Sequence, residues 1–246
     1  MTPRHETPEV TLSPPWSGKD LGLAAKLGIA PANSRDDSVW QLVRGIGGLS
    51  LHAPRSAGGM ALELSLRHGP LAQRLRSARK TDSLPRAFGL PRRTTPPTVV
   101  DAMAGLCRDA MVLAKLGCQV TAIERVPALA MLAAAAIDGS ELGTRLSVQT
   151  GDAETWLAGL SPEQAPEVVY LDPMFAESGK AQVKKDMQVC RALAGPPDDT
   201  ASLFAQAKQV ARERVVVKRH PDLPPLGPGV SFAVEGERVR FDVYLR

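Results

Sequence analysis

Four runs of the 246-residue chain place a carboxylate at or just past the end of an apolar stretch: TVVDAM with Asp101, CQVTAIE with Glu124, RLSVQTGD with Asp152 and EVVYLDP with Asp172. An apolar run that closes on one acid reads as a buried strand carrying a charge to its carboxyl end, and open α/β sheets bind ligands outside those ends. Glu124 comes 23 residues after Asp101, where an acid that accepts hydrogen bonds from a ribose diol belongs. Asp101 and Ala102 lead into a turn in which Gly105 lets a ligand approach the backbone, and Arg108 and Asp109 open the helix behind it. Asp152, just after Gly151, can hold an adenine amino group. Together these positions point to a nucleoside ligand.

The turn narrows the choice. It reads Ala104-Gly105-Leu106-Cys107, one glycine where a dinucleotide site uses G-x-G-x-x-G. S-adenosylmethionine, an adenosine ligand without pyrophosphate, tolerates such a turn because no phosphate must press against the backbone. The fourth run ends Asp172-Pro173-Met174-Phe175, which resembles the [DN]-P-P-[FYW] motif of methyltransferases that act on amino nitrogens, with Met174 in place of the second proline. The exocyclic amine of a base is a poor nucleophile, its lone pair being delocalised into the ring. A carboxylate and backbone carbonyls that accept its N–H hydrogens favour the pyramidal nitrogen that attacks. Asp172 is the candidate acceptor, Pro173 fixes the backbone direction and Phe175 stacks on a flipped base. This chemistry requires no metal. The three cysteines, Cys107, Cys118 and Cys190, lack C-x-x-C spacing and read as packed thiols rather than a zinc site or a disulfide framework.

The elements that must hold these residues follow from periodicity. Residues 1–35, rich in Pro, Gly and Ser, read as a loosely structured arm with a short helix near 21–27. Residues 40–67 alternate apolar with polar around a glycine-containing break, as a small antiparallel strand pair does, and 70–80 reads as a helix. The proline-rich segment 90–97 is a linker, so the chain divides into 1–90, an arm with a small α+β part, and 91–246, the catalytic domain. Beyond it, strands at 98–103, 118–124, 145–152, 167–173 and 213–219 interleave with helices at 108–117, 127–140 and 200–211, the signature of a parallel α/β sheet. The tail, with two alternating segments around Glu235-Gly236-Glu237, closes the sheet as a hairpin.

Composition sets the class. A hydrophobic fraction of 43% against 23% charged residues excludes a mainly disordered or collagenous chain. Apolar stretches such as 128–137 fall well short of the roughly 20 residues a bilayer requires, and the N-terminus lacks a signal-peptide core, so no membrane partner and a cytoplasmic location are expected. The net charge of +4 matters through its placement: Arg67, Arg74, Arg76, Arg79, Lys80, Arg86, Arg92 and Arg93 crowd one stretch against a single acid, Asp82. Such a stretch suits a phosphate-rich partner.

The blocks VVDAMAGLCRDAMVLAKLGCQVTAIERVP, VVYLDPMF, VKKDM, VVVKR and RFDVY closely resemble, in this order, the RsmJ (YhiQ) family of bacterial methyltransferases of small-subunit ribosomal RNA. The resemblance covers about residues 58–246. It implies a class I S-adenosylmethionine-dependent methyltransferase, a Rossmann-like sheet ending in an antiparallel hairpin, that methylates N2 of guanosine 1516 in 16S ribosomal RNA, free or within the small subunit. It places cofactor contacts on Arg108 and Asp109, Glu124 and Arg125, Asp152 and Ala153, and Asp172. Two positions depart from the family: Asp152-Ala153 replaces a pair of small hydroxyl residues, and Cys107 stands where glycine is frequent. Arg74, Arg76, Arg79, Lys80, Lys184, Lys185, Lys218 and Arg219 then become candidates for gripping RNA phosphates. Read without the resemblance, the same residues also admit amino-group methylation of adenine or cytosine in RNA or DNA, or an RNA-binding protein without catalysis.

Overall fold

The computed structural model describes residues 8–173, 185–195 and 200–246, with the side chain of Lys185 outside that set. The chain first builds a four-stranded sheet from β1 (Val10–Ser13), β2 (Trp40–Gly45), β3 (Gly48–His52) and β4 (Ala61–Glu63), in that spatial order, with α1 (Gly18–Lys26) between the first two strands. β1 runs parallel to β2, and the other neighbours are antiparallel. Residues 8–35 are therefore more ordered than their composition suggests. Leu12 is fully buried, and Ser17 and Asp20 cap α1 reciprocally. A strand of four residues beside two prolines carries too little periodicity to be read from sequence.

The linking helices α2 (Gly69–Ser77) and α3 (Ser83–Ala87) lead to a seven-stranded sheet. Its strands and helices follow in order: β5 (Thr98–Asp101), α4 (Arg108–Lys115), β6 (Gln119–Glu124), α5 (Pro127–Ile137), β7 (Leu146–Thr150), α6 (Ala153–Ala158), β8 (Val168–Leu171), α7 (Lys185–Ala194), α8 (Thr200–Val210), β9 (Arg214–Arg219), β10 (Phe232–Glu235) and β11 (Arg240–Leu245). The spatial order is β10-β11-β9-β8-β5-β6-β7, and only β11 runs opposite to the other six strands. This is the parallel sheet with a closing hairpin that the sequence predicts. Helices cover both faces, so a central strand such as β8, VVYL, is buried on every residue.

One helix joins the two sheets. α5, PALAMLAAAAI, has almost no polar face because β3 packs on one side of it and β6 and β7 on the other. The apolar core accordingly runs from Leu12, Leu42 and Leu51 through Leu129 and Met131 to Val120 and Val216, across the expected boundary at residue 90. Phe88, fully buried, lies 5.4 Å ring to ring from Tyr170 of β8 at the same junction. No helix among the described residues is long and apolar enough to cross a membrane.

Because Phe88 fills space between the two parts, Phe88→Ala is expected to lose about 3–5 kcal/mol of stability, read as a lower urea midpoint. A loss under about 1 kcal/mol would mean that the junction is not continuous core.

Candidate active site

β5 lies between β6 and β8, so the connection leaving β5 runs to one side and the later strands fill the other. A crevice opens at that switch point, beyond the carboxyl ends of the strands. Here it is a cleft of about 350 Å³, within the range of small-molecule sites. Of the expected cofactor residues, Ala102, Gly105, Glu124, Arg125, Asp152, Ala153 and Asp172 line it, as does Pro173. Helices α7 and α8 add Cys190, Ala194, Thr200 and Leu203, which the sequence reading misses because nothing local marks those positions as facing a ligand.

Glu124, at the tip of β6, is buried, and its two carboxylate oxygens accept the N–H groups of Gly105 at 2.6 Å and Val126 at 2.7 Å. Burial pushes its pKa up, while those two donors act to hold the charge. The backbone N–H of Arg125 also acts to hold the charge, and because a carboxylate has about four acceptor positions, capacity remains for a ligand hydroxyl in the cleft. Gly105 reaches its place with φ +52°, a conformation that glycine adopts without strain. Cys107, at φ 54° and fully buried, is the non-glycine residue with positive φ among the described residues. The departure from glycine costs about 1–2 kcal/mol of backbone strain at the head of α4.

Asp152 caps α6, accepting the N–H of Thr155 at 2.7 Å through one oxygen. With Ile123, Leu129, Ala153 and Leu203 it forms a wall that is apolar with one acceptor, which suits a purine. The residues present therefore fit an adenosine-containing cofactor.

Beneath the cleft the remaining acids form a cluster. Asp109 accepts three hydrogen bonds: from Tyr170 Oη–H at 2.7 Å, from Lys218 Nζ at 3.0 Å and from an Arg74 guanidinium N–H at 2.5 Å. Burial works against its charge, but Lys218 and Arg74 outweigh it and hold the carboxyl well below the usual range. Lys218 Nζ also donates to Asp172 at 2.8 Å. Asp172 is pushed up to about 6 by burial, against the pull of Lys218 and with the charge of Asp109 adding to the rise. Asp101 accepts the N–H of Met103 at 3.3 Å, and burial, then the charges of Asp109 and Asp172, raise it well above the carboxylate range.

Several candidates stand elsewhere than the sequence reading puts them. Asp101 and Asp109 lie behind the cleft wall, and Arg108 pairs with Asp186 in the first turn of α7. Lys218 and Arg219, expected on an RNA-gripping surface, are turned inward: Lys218 bridges two acids, and Arg219, which lines the cleft, is buried and donates to the carbonyl of Pro224 at 2.7 Å. Strand alternation gives the reason, since Lys218 shares a face with Val216 and Arg219 with Val217, both packed against helices. Tyr170, read from sequence as simple core, uses its hydroxyl on Asp109. Arg76, Arg79 and Lys80 are exposed, while Arg74 is half-exposed and tied to Asp109. Phe175, Lys184 and the side chain of Lys185 lie outside the described residues.

Comparison with known proteins adds to this geometry. The family model described as "Putative SAM-dependent methyltransferase" matches residues 23–246. The Ribosomal RNA small subunit methyltransferase J of Chromohalobacter salexigens is 40% identical over 236 residues, 91% of this chain and 92% of the relative. The protein of the same name from Thioalkalivibrio sulfidiphilus is 39% identical over 235 residues, 91% of each chain. Among solved structures, a SAM-dependent methyltransferase from Neisseria gonorrhoeae superposes with a TM-score of 0.72 at 26% identity, covering 96% of this chain and 95% of that one.

Glu124→Gln removes one acceptor and the charge while keeping the shape. It is expected to weaken S-adenosylmethionine binding roughly 10- to 100-fold by calorimetry, the usual worth of a hydrogen bond to a charged group. Unchanged affinity would remove Glu124 from the ribose site.

Proposed function

The chain belongs to the small-subunit ribosomal RNA methyltransferase J family of S-adenosylmethionine-dependent enzymes, and on that footing we propose that it methylates the exocyclic N2 of guanosine 1516 in 16S ribosomal RNA. Its seven-stranded sheet is the class I Rossmann-like fold of that enzyme class. The cofactor supplies a methyl group on a sulfonium, already electrophilic. What the chain must add is a nucleophile presented in line and relieved of its resonance.

The observation that carries the reading is a carboxylate, Asp172, on the cleft wall with one oxygen tied to Lys218. On its Watson–Crick edge guanine offers two adjacent donors, N1–H and the N2 amine, which converge on one carboxylate oxygen, the one that Lys218 leaves free. Adenine and cytosine set their amine beside an acceptor ring nitrogen, which a carboxylate repels. Accepting an N2 hydrogen draws electron density onto the nitrogen as it forms the new N–C bond. The alkylated nitrogen then sheds a proton, and a carboxyl that titrates at about 6 can take it up and pass it to water near neutrality.

Substrate binding falls to the basic stretch. Arg76, Arg79, Lys80, Arg86 and Arg92 are exposed along α2, α3 and their flanks. Arg74 on α2 binds Asp109, which binds Lys218, which binds Asp172, so this surface lies three ionic contacts from the amine acceptor. An RNA held by its phosphates on α2 and α3 can therefore reach the cleft with a splayed base.

Purified protein is expected to transfer labelled methyl to 16S ribosomal RNA that lacks the mark, and nucleoside mass spectrometry to find N2-methylguanosine at that position. Asp172→Ala should lower transfer about 10²- to 10³-fold with an unchanged circular dichroism spectrum. Because the acceptor works ionised and its pKa is raised, the rate should fall as the pH drops through about 6. Methyl found on an adenine or cytosine amine would overturn the choice of base. Replacing Arg76, Arg79 and Lys80 together by Glu should raise KM for RNA and flatten its salt dependence, by about one unit of log–log slope per lost phosphate contact. An unaltered salt slope would place the RNA on another face.

A further inference from the structure

We propose that Lys218 is the positioning residue of the amine acceptor, its ammonium clamped between Asp109 and Asp172 so that one Asp172 oxygen is tied back and the other is turned to the substrate. This deepens the reading of Asp172 given above and rests on it. Lys218 is the last but one residue of β9, next to β8, and its Nζ lies 3.0 Å from Asp109 Oδ2 and 2.8 Å from Asp172 Oδ2. Asp172 Oδ1 has no hydrogen-bond partner among the described residues, and Asp172 lines the cleft. Only 23% of the Lys218 side chain is exposed, too little for a phosphate-gripping surface lysine.

An ammonium on a four-carbon stem would ordinarily sample many positions, and here both ends of its travel are blocked. Asp109 is itself immobilised from two further sides, by the Tyr170 hydroxyl of β8 and by Arg74 of α2. The cluster holds two cations, Arg74 and Lys218, paired with Asp109 and Asp172, and Asp101 of β5 lies beside them with its pKa raised by burial. Remove Lys218 and Asp172 faces Asp109 in a low-dielectric setting with Arg74 as the cation left in the cluster. Its carboxyl would then protonate at higher pH and lose its fixed rotamer. Burial alone would strip the proton from a lysine in such a place, but Asp109 and Asp172 outweigh that and keep Lys218 charged.

The test uses the full chain labelled with ¹³C at aspartate carboxyls, the Asp172 signal being assigned by its loss in Asp172→Asn. In Lys218→Met the Asp172 titration midpoint is expected to rise by about one pH unit or more. The acid limb of kcat should move up by the same amount, kcat at neutral pH should fall about 10- to 100-fold, and KM for S-adenosylmethionine should change little. Lys218→Arg, which keeps the charge, should restore the acid limb. An Asp172 midpoint unmoved in Lys218→Met overturns the proposal. In the unsubstituted protein the ¹⁵Nζ resonance of Lys218 should shift with the midpoint of Asp172, and a resonance indifferent to that titration overturns the proposal even where Lys218→Met does not fold. Both NMR readouts are independent of substrate. Methylation of another base therefore counts against the functional reading and leaves Lys218 to be judged by the titrations.

Discussion

Four carboxyl groups, Asp101, Asp109, Glu124 and Asp172, crowd one edge of a parallel sheet, and a low-dielectric edge does not tolerate four bare charges. The fold meets that constraint differently at each position. Backbone N–H groups hold Glu124; two cations and a phenol hold Asp109; one ammonium holds Asp172; burial raises the pKa of Asp101. Acids that titrate in different environments can take different tasks, and the tasks proposed for Glu124 and Asp172 separate in that way.

This arrangement ties the N-terminal part to the chemistry. Arg74 belongs to α2, before the seven-stranded sheet begins, yet it supplies one of the two cations that keep Asp109 ionised. α5 is apolar on nearly all sides because both sheets press on it, and Phe88 meets Tyr170 at the same junction. Residues 8–90 therefore give the catalytic sheet both apolar cover and a charge.

Much of this was readable in the sequence. Strands buried on both faces are continuous apolar runs, so β5, β6, β8 and β9 stand out, and the acids that end them mark the cleft without any coordinates. Short elements were not readable: β1 has four residues and α6 six, too few to establish a period. The direction of Lys218 was lost for another reason. A lysine at a strand end reads as exposed unless one knows which face alternation assigns it, and that needs the partner strand: Val216 pairs with Tyr170, which puts Lys218 on the Tyr170 face, against α4. Asp109 reads equally well as a first-turn acid on a helix, and only the packing of α2 against α4 shows what it binds.

β9 and β10 meet only through β11, which lies between them and follows both in the chain. During synthesis β9 thus emerges with one ladder edge unpaired, and that edge stays open until residues 240–245 have been made. Lys218 and Arg219 sit at the end of that strand. β8 already assigns the face on which Lys218 stands, and the outer edge of its backbone is covered only when Phe241 and Arg240 come to lie opposite Lys218 and Arg219.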